Sequence, residues 1–173
     1  MKEIIVDLER CLGCRNCEVY CAVEHSMSKN LFTAIFEEPL PIRRISVESS
    51  DTTSFPIQCR HCEEAPCVDT CPSGAMRRDL VTGIVLLNQD RCIGCWMCAV
   101  VCPFGAIIPE RETKLVLKCD RCPDLEIPAC VTACPTNALL FGELSDIMKK
   151  TRKRVTTRII SAASKEIKMG GIL

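Results

Sequence analysis

Cys92-Ile93-Gly94-Cys95-Trp96-Met97-Cys98-Ala99-Val100-Val101-Cys102-Pro103 is the stretch on which the reading of this chain turns. Its cysteines are spaced C-x2-C-x2-C-x3-C and a proline follows the last. The same spacing opens the chain at Cys11, Cys14, Cys17 and Cys21, where Ala22 replaces the proline. Two further groups stretch the second gap. Cys59, Cys62, Cys67 and Cys71 are followed by Pro72, and Cys119, Cys122, Cys130 and Cys134 by Pro135. All 16 cysteines of the 173 residues fall into these four groups. The flanks repeat as well. Leu86 to Cys95 echoes Ile5 to Cys14, and Leu117 to Cys122 echoes Ile57 to Cys62, so a unit of two groups has been duplicated.

Thiolates at this spacing suit [4Fe–4S] cubanes. Three cysteines in a tight loop wrap one corner of a cluster, and the fourth, beyond a helical turn, points away toward a second cluster. Gly13 and Gly94 let the backbone pass close to the cluster and aim N–H groups at sulfur. The proline ends the local hydrogen-bond pattern. Structural zinc also uses C-x2-C pairs but does not call for the remaining cysteines and the proline. Disulfides would join immediate neighbours in tight loops. Four [4Fe–4S] clusters are therefore expected, with all 16 cysteines as metal ligands. A zinc structural module or a redox-sensing regulator are the readings of another class.

Composition agrees. Cysteine is about 9% of the chain, a level typical of disulfide scaffolds and metal proteins. Without cysteine the 47% hydrophobic fraction falls to roughly 38%, a thin supply for a core. Met1 to Val6 is too short an apolar start for a secretory leader, and no apolar run reaches membrane-spanning length. A cytoplasmic setting is expected, where clustered cysteines more often mean metal. The net charge of zero hides an imbalance. Residues 149–173 hold eight Lys or Arg against one Glu, a surplus of seven positive charges that the rest of the chain balances with seven negative ones. Each oxidised cubane with its thiolates adds about two more negative charges, so the body of the protein does not suit nucleic acid. No Rossmann glycine fingerprint, P-loop or catalytic triad pattern is present, so no catalytic residues and no enzyme activity of its own are expected.

Strand signals fall at Ile4–Val6, Ile42–Val47, Ile84–Leu87 and Leu115–Leu117, with a turn at Thr82-Gly83 and a polar loop over Ser49–Ser54. Short helices are expected to begin inside each group and run to its last cysteine. From Ser145 the apolar residues recur at helical spacing with basic residues opposite. That tail reads as a solvated helix or as a docking element for an acidic partner or a membrane surface. His61 is expected to pack near a cluster without ligating it, and Trp96 and Met97 to shield one from water.

Cys92 through Ile107, with Cys59 to Pro72 and Cys119 to Pro135, resembles the four-cluster ferredoxin-like electron-transfer subunits of anaerobic oxidoreductases. These include the iron–sulfur subunits of molybdopterin oxidoreductases and of formate hydrogenlyase. The short length and the opening Ile4 to Cys21 are most similar to the iron–sulfur protein that serves carbon monoxide dehydrogenase. The resemblance implies an α+β fold of two ferredoxin-like 2[4Fe-4S] modules related by pseudo-two-fold symmetry, plus a basic C-terminal helix. The outer module would be residues 1–58 and 103–143, the inner one 59–102, and the tail 144–173. It implies four ligand sets: Cys11, Cys14, Cys17 and Cys134; Cys119, Cys122, Cys130 and Cys21; Cys59, Cys62, Cys67 and Cys102; and Cys92, Cys95, Cys98 and Cys71. Spacing alone leaves the pairing open, since the duplication equally suggests the first group with the second. The implied partners are carbon monoxide dehydrogenase or another catalytic subunit, and a downstream hydrogenase or other acceptor, with peripheral membrane association through a partner.

Overall fold

The computed structural model describes residues 2–169, with side chains up to residue 161. Among the described residues the fold is α+β, built from four separate two-stranded antiparallel ribbons and mostly short helices. Strand β1 (Lys2–Val6) pairs with β8 (Leu139–Glu143), joining the start of the chain to the end of the cysteine region, with Ile4 opposite Phe141. The local ribbons are β2 (Ile45–Ser50) with β3 (Thr53–Gln58), β4 (Met76–Arg78) with β5 (Val85–Leu87), and β6 (Ile107–Pro109) with β7 (Val116–Lys118). An isolated two-stranded ribbon is marginal in water, so each depends on what its buried face meets.

Two small cores supply those faces. In one, Ile4, Ile45, Val47 and Leu139 close on Cys17, Cys21 and Cys130. In the other, Met76, Val85, Ile107 and Val116 close on Cys98, with Cys62, Cys67, Cys71, Cys92 and Cys102 against them. Ribbon β6–β7 thus joins the second core, although residues 107–118 lie far along the chain from most of it. Both cores are cysteine-rich, as the thin aliphatic supply requires.

The cysteine-bearing helices differ in length for a legible reason. Helices α3 (Pro66–Asp69), α4 (Met97–Val100) and α5 (Ala129–Thr132) are single turns. Each stops short of its last cysteine, because Pro72, Pro103 and Pro135 exclude helical backbone at the residue before them. Helix α1 (Asn16–Glu24) runs through Cys21 to Glu24, because Ala22 imposes no such stop. Inside α1, Glu18 is buried and accepts the Val47 amide at 2.6 Å, which fastens the helix to β2. A one-turn helix α2 (Leu31–Ala34) fills the long gap that follows, capped by the Asn30 side chain.

The strand expected at Ile42–Val47 begins at Ile45, and Ser49–Ser54 is no loop but the outer end of ribbon β2–β3. Ser49 and Ser54 face each other there, their hydroxyls 2.9 Å apart. Exposed strand ends carry polar residues at little cost, and composition alone misreads them. The tail forms the long helix α6 (Leu144–Met169). Ile147 is its buried anchor, and Arg154 pairs with Asp7 at 2.5 Å, as does Arg158 with Glu9 at 3.1 Å.

Gly94 is required on two counts. Its φ is +69°, and a Cβ built there would lie 2.2 Å from the Lys114 carbonyl oxygen, a backbone atom that cannot swing aside. Its close neighbour is therefore the β6–β7 loop as well as the space the cysteines surround. Gly105, at φ +57°, has nothing within 4 Å of the same position. Gly94→Ala should cost more than about 2 kcal/mol, strain plus clash. Gly105→Ala should cost only the left-handed penalty of about 1–2 kcal/mol. Anaerobic thermal unfolding of the two variants compares them directly.

Candidate metal centres

The tight loops take their shape from residues in left-handed backbone. Arg15 and Trp96, at φ 60° and 58°, immediately precede α1 and α4, one in each C-x2-C-x2-C loop. In the stretched groups the left-handed residues His61, at φ 50°, and Arg121, at φ 64°, sit earlier, between the first two cysteines and not directly before the helix. These reversals turn three successive cysteines toward one point.

Cys11, Cys14, Cys17 and Cys134 line one cavity, closed by Val47, Pro56 and Leu139. Cys71, Cys92, Cys95 and Cys98 line another, closed by Met76, Trp96 and Val116. Trp96 covers this cavity and donates its indole N–H to the Lys114 carbonyl at 3.3 Å. Met97, 48% exposed, does not line it. Of the remaining cysteines, Cys21, Cys119, Cys122 and Cys130 are buried and Cys59, Cys62, Cys67 and Cys102 partly buried. Cys21 has Cys119 and Cys122 as electrostatic neighbours, and Cys130 has Cys119, Cys21 and Cys122. Cys67 has Cys59 and Cys102, and Cys62 lies in the same core.

Burial pushes the Cys17 and Cys67 thiols up to about 11, with neighbouring cysteines adding to the rise. It pushes Cys119 to about 11 and Cys21 to about 12, against opposing N–H contacts from Arg121 and Arg44. Cys130 moves further in the same direction. Left as free thiols, these buried cysteines would be poor nucleophiles. A cationic metal centre reverses that logic, since a coordinating thiol is deprotonated outright.

Backbone amides stand ready for the thiolate form. Arg44 N–H donates to Cys21 Sγ at 3.2 Å, Met76 N–H to Cys71 Sγ at 3.4 Å, and Ala138 N–H to Cys134 Sγ at 3.2 Å. His61 and Arg121 N–H groups face Cys59 and Cys119 Sγ at 3.5 and 3.4 Å. Cys71 and Cys134 occupy matching places in the duplicated frame. Each has a hydroxyl 3.7 Å away, Ser73 in one case and Thr136 in the other. Burial raises both thiols, but these hydroxyls and the surrounding amides outweigh it and leave them below the ordinary value.

One orphaned atom bears on fit. His61 is 2% exposed and its Nδ1 accepts the Val85 amide at 3.1 Å, which places the ring proton on Nε2. That N–H has no partner among the described residues. Burial, with Lys118 and Arg121 nearby, holds the imidazole pKa down to about 2, so it stays a neutral donor. A buried donor without an acceptor beside Cys59 and Cys62 suits an anionic sulfur cluster and does not suit an apolar cavity. The residues present fit cubane clusters.

His25, for which the sequence offers no partner, belongs to a network beside the Cys21 and Cys122 sulfurs. Its Nδ1 donates to the Cys21 carbonyl at 2.7 Å, and its Nε2 lies 3.2 Å from Asp120. Asp120 also binds the Arg44 guanidinium and accepts the Cys122 amide at 3.0 Å. Although burial opposes it, these contacts with His25, Cys122 and Arg44 hold the Asp120 carboxyl well below the usual range. Nothing in the local sequence signals this network, because Asp120 and His25 are 95 residues apart.

This geometry defines a class: a protein that stores and passes single electrons on iron–sulfur clusters. Residues 50–144 match the 4Fe-4S dicluster domain family and residues 8–24 a 4Fe-4S binding domain, which together span all four cysteine groups. The chain is 41% identical to an iron–sulfur protein of Rhodospirillum rubrum over 158 residues, covering 82% of each chain. It is 39% identical to the electron transport protein HydN of Escherichia coli strain K12, covering 87% of this chain and 95% of that one. With the thiosulfate reductase electron transfer subunit PhsB of Salmonella typhi it shares 39% identity, covering 81% and 74%. The chain belongs to the 4Fe-4S dicluster family of ferredoxin-like electron-transfer subunits. It carries four [4Fe–4S] clusters and transfers electrons; it is not itself a catalyst.

Asp120→Ala should lower stability by about 1–3 kcal/mol, because His25 and Arg44 lose their shared acceptor where they are half-buried. Glu9→Ala, which breaks only the exposed pair with Arg158, should leave stability unchanged. Unfolding midpoints of the holoprotein variants measure both.

Proposed function

We propose that this chain is the iron–sulfur subunit of an anaerobic oxidoreductase complex, of the molybdopterin oxidoreductase or formate hydrogenlyase type. In this reading it passes electrons between a catalytic subunit and a second acceptor. The observation that carries the reading is the full set of 16 cysteines in four groups, on a chain similar along most of its length to electron-transfer subunits. Thiosulfate reductase is the kind of system one relative's name describes, and the sulfite dehydrogenase of Allochromatium vinosum, with a subunit 34% identical to this chain, is another. Carbon monoxide dehydrogenase, suggested by chain length and the opening residues, is a narrower choice that these relatives do not single out.

The cluster ligands follow the four sets implied by the resemblance. Cys11, Cys14 and Cys17 with Cys134, and Cys92, Cys95 and Cys98 with Cys71, would hold the two terminal clusters. Cys119, Cys122 and Cys130 with Cys21, and Cys59, Cys62 and Cys67 with Cys102, would hold the two middle ones. The shared cavities and neighbour relations of those cysteines support this assignment. Cys14 and Cys95, the exposed members of the terminal sets, sit where electrons would enter and leave. The division into an outer module, residues 1–58 and 103–143, and an inner one, 59–102, follows the same sets.

The clusters supply one-electron transfer; the chain holds them in order, keeps water from the deeper thiolates and donates N–H groups to sulfur. Among the described residues no helix is long and apolar enough to cross a membrane. Any membrane association would come through a partner.

Anaerobically purified protein should contain about 16 iron and 16 acid-labile sulfide per chain, the content of four cubanes. Zinc in place of iron and sulfide would refute the reading. Anaerobic co-purification from the native cell should bring down a molybdopterin-containing catalytic subunit. Recovery of a nickel carbon monoxide dehydrogenase instead would select the narrower partner.

A further inference from the structure

The duplicated frame sets residues of the second and fourth cysteine groups in matching positions: Gln58 with Lys118, Cys59 with Cys119, His61 with Arg121, Cys62 with Cys122. All four of the non-cysteine residues are buried: Gln58 2%, His61 2%, Lys118 3% and Arg121 7% exposed. The frame is therefore matched in shape but not in charge. A neutral amide and a neutral imidazole on one side face an ammonium and a guanidinium on the other.

The Lys118 ammonium donates to the Cys119 carbonyl at 2.7 Å and to the Val85 carbonyl. Val85 is on β5, in the second core, whereas Cys119 belongs to the fourth group, so Lys118 bridges the two halves. Lys118 is the immediate neighbour of Cys119 and lies close enough to Cys67 to interact with it, so its charge reaches both middle sites. Arg121 donates to the Lys2 carbonyl at 2.8 Å and lies close enough to Cys59 and Cys119 to interact with both. Carbonyl dipoles are weak compensation for a buried ammonium, which calls for an anion nearby. A cubane with four thiolates carries about −2 when oxidised and about −3 when reduced.

We propose that Lys118, backed by Arg121, is the internal counter-ion shared by the two middle clusters, and that it sets their reduction potentials above the value the same ligation would give without it. This deepens the proposed ligand assignment and rests on it. The added electron comes from the redox partner, no proton moves, and the reduced form gains because its extra negative charge lies beside a fixed cation. Lys118 is a positioning and tuning residue, not a ligand.

The test is anaerobic redox titration of the isolated holoprotein, followed by electron paramagnetic resonance, for wild type, Lys118→Gln and Lys118→Arg. Glutamine is the residue that fills the matching position at 58, so K118Q keeps a side chain the frame accommodates. At unchanged iron and sulfide, at least one midpoint should shift downward in K118Q while at least two stay in place. In K118R all four should stay near wild type. K118Q that loses middle-cluster iron while K118R keeps it also supports a need for charge. Unchanged potentials in K118Q, or loss of iron in both variants, overturns the proposal. Wild-type protein lacking iron and sulfide would instead overturn the cluster reading itself, so the two failures are distinct.

Discussion

The crowding of thiol groups at four points is the constraint from which the rest of this structure follows. A protein of this length with few aromatic residues has little with which to fill an interior, and here the cysteines themselves form much of both cores. As free thiols the deepest of them are held far from ionisation by burial and by each other. The surrounding amides nevertheless aim N–H groups at Cys21, Cys59, Cys71, Cys119 and Cys134. Those two facts conflict for protonated thiols and agree around an iron–sulfur cluster. The clusters are thus part of the core, and their ligation is part of folding.

Secondary structure is subordinate to that demand. Ribbons of three residues and helices of one turn would not persist alone. They survive because each one presents a cysteine loop to a cluster or covers it with Val47, Met76, Val116 or Leu139. The one cysteine-bearing helix that runs on, α1, does so where the chain lacks the terminating proline, and its buried Glu18 accepts the Val47 amide of β2.

Much of this was legible in the sequence for local reasons. Cysteine spacing, the glycine between paired cysteines and the closing proline are all set within about a dozen residues, so four metal sites and most of their helices could be read directly. Strands at Ile4, Val85 and Val116 announced themselves by apolar runs. What was not legible depends on distance along the chain. The pairing of β1 with β8 brings Cys134 to the first group from more than a hundred residues away, and spacing was equally compatible with another pairing. The His25–Asp120–Arg44 network and the contact of the Val85 amide with His61 are likewise between residues distant in sequence. Polar residues at Ser49–Ser54 hid a ribbon, since exposed strand ends and loops have the same composition.

Duplication explains the frame but not its use. A symmetric wire would have equal clusters on either side of its centre and no built-in preference for direction. In this chain parts of the backbone repeat, as in the matching left-handed residues at Arg15 and Trp96 and at His61 and Arg121, while α1 outruns its counterpart α4. The matched positions differ in charge, buried Gln58 and His61 corresponding to buried Lys118 and Arg121, and exposed Arg60 to the Asp120 that His25 and Arg44 hold. Buried charge in a low-dielectric interior acts strongly and over short range. A few such substitutions are therefore enough to make neighbouring clusters unequal without moving a single ligand. Selection acting on an electron carrier after duplication would work at these positions, because the cysteines and their loops are already fixed by the geometry of the metal.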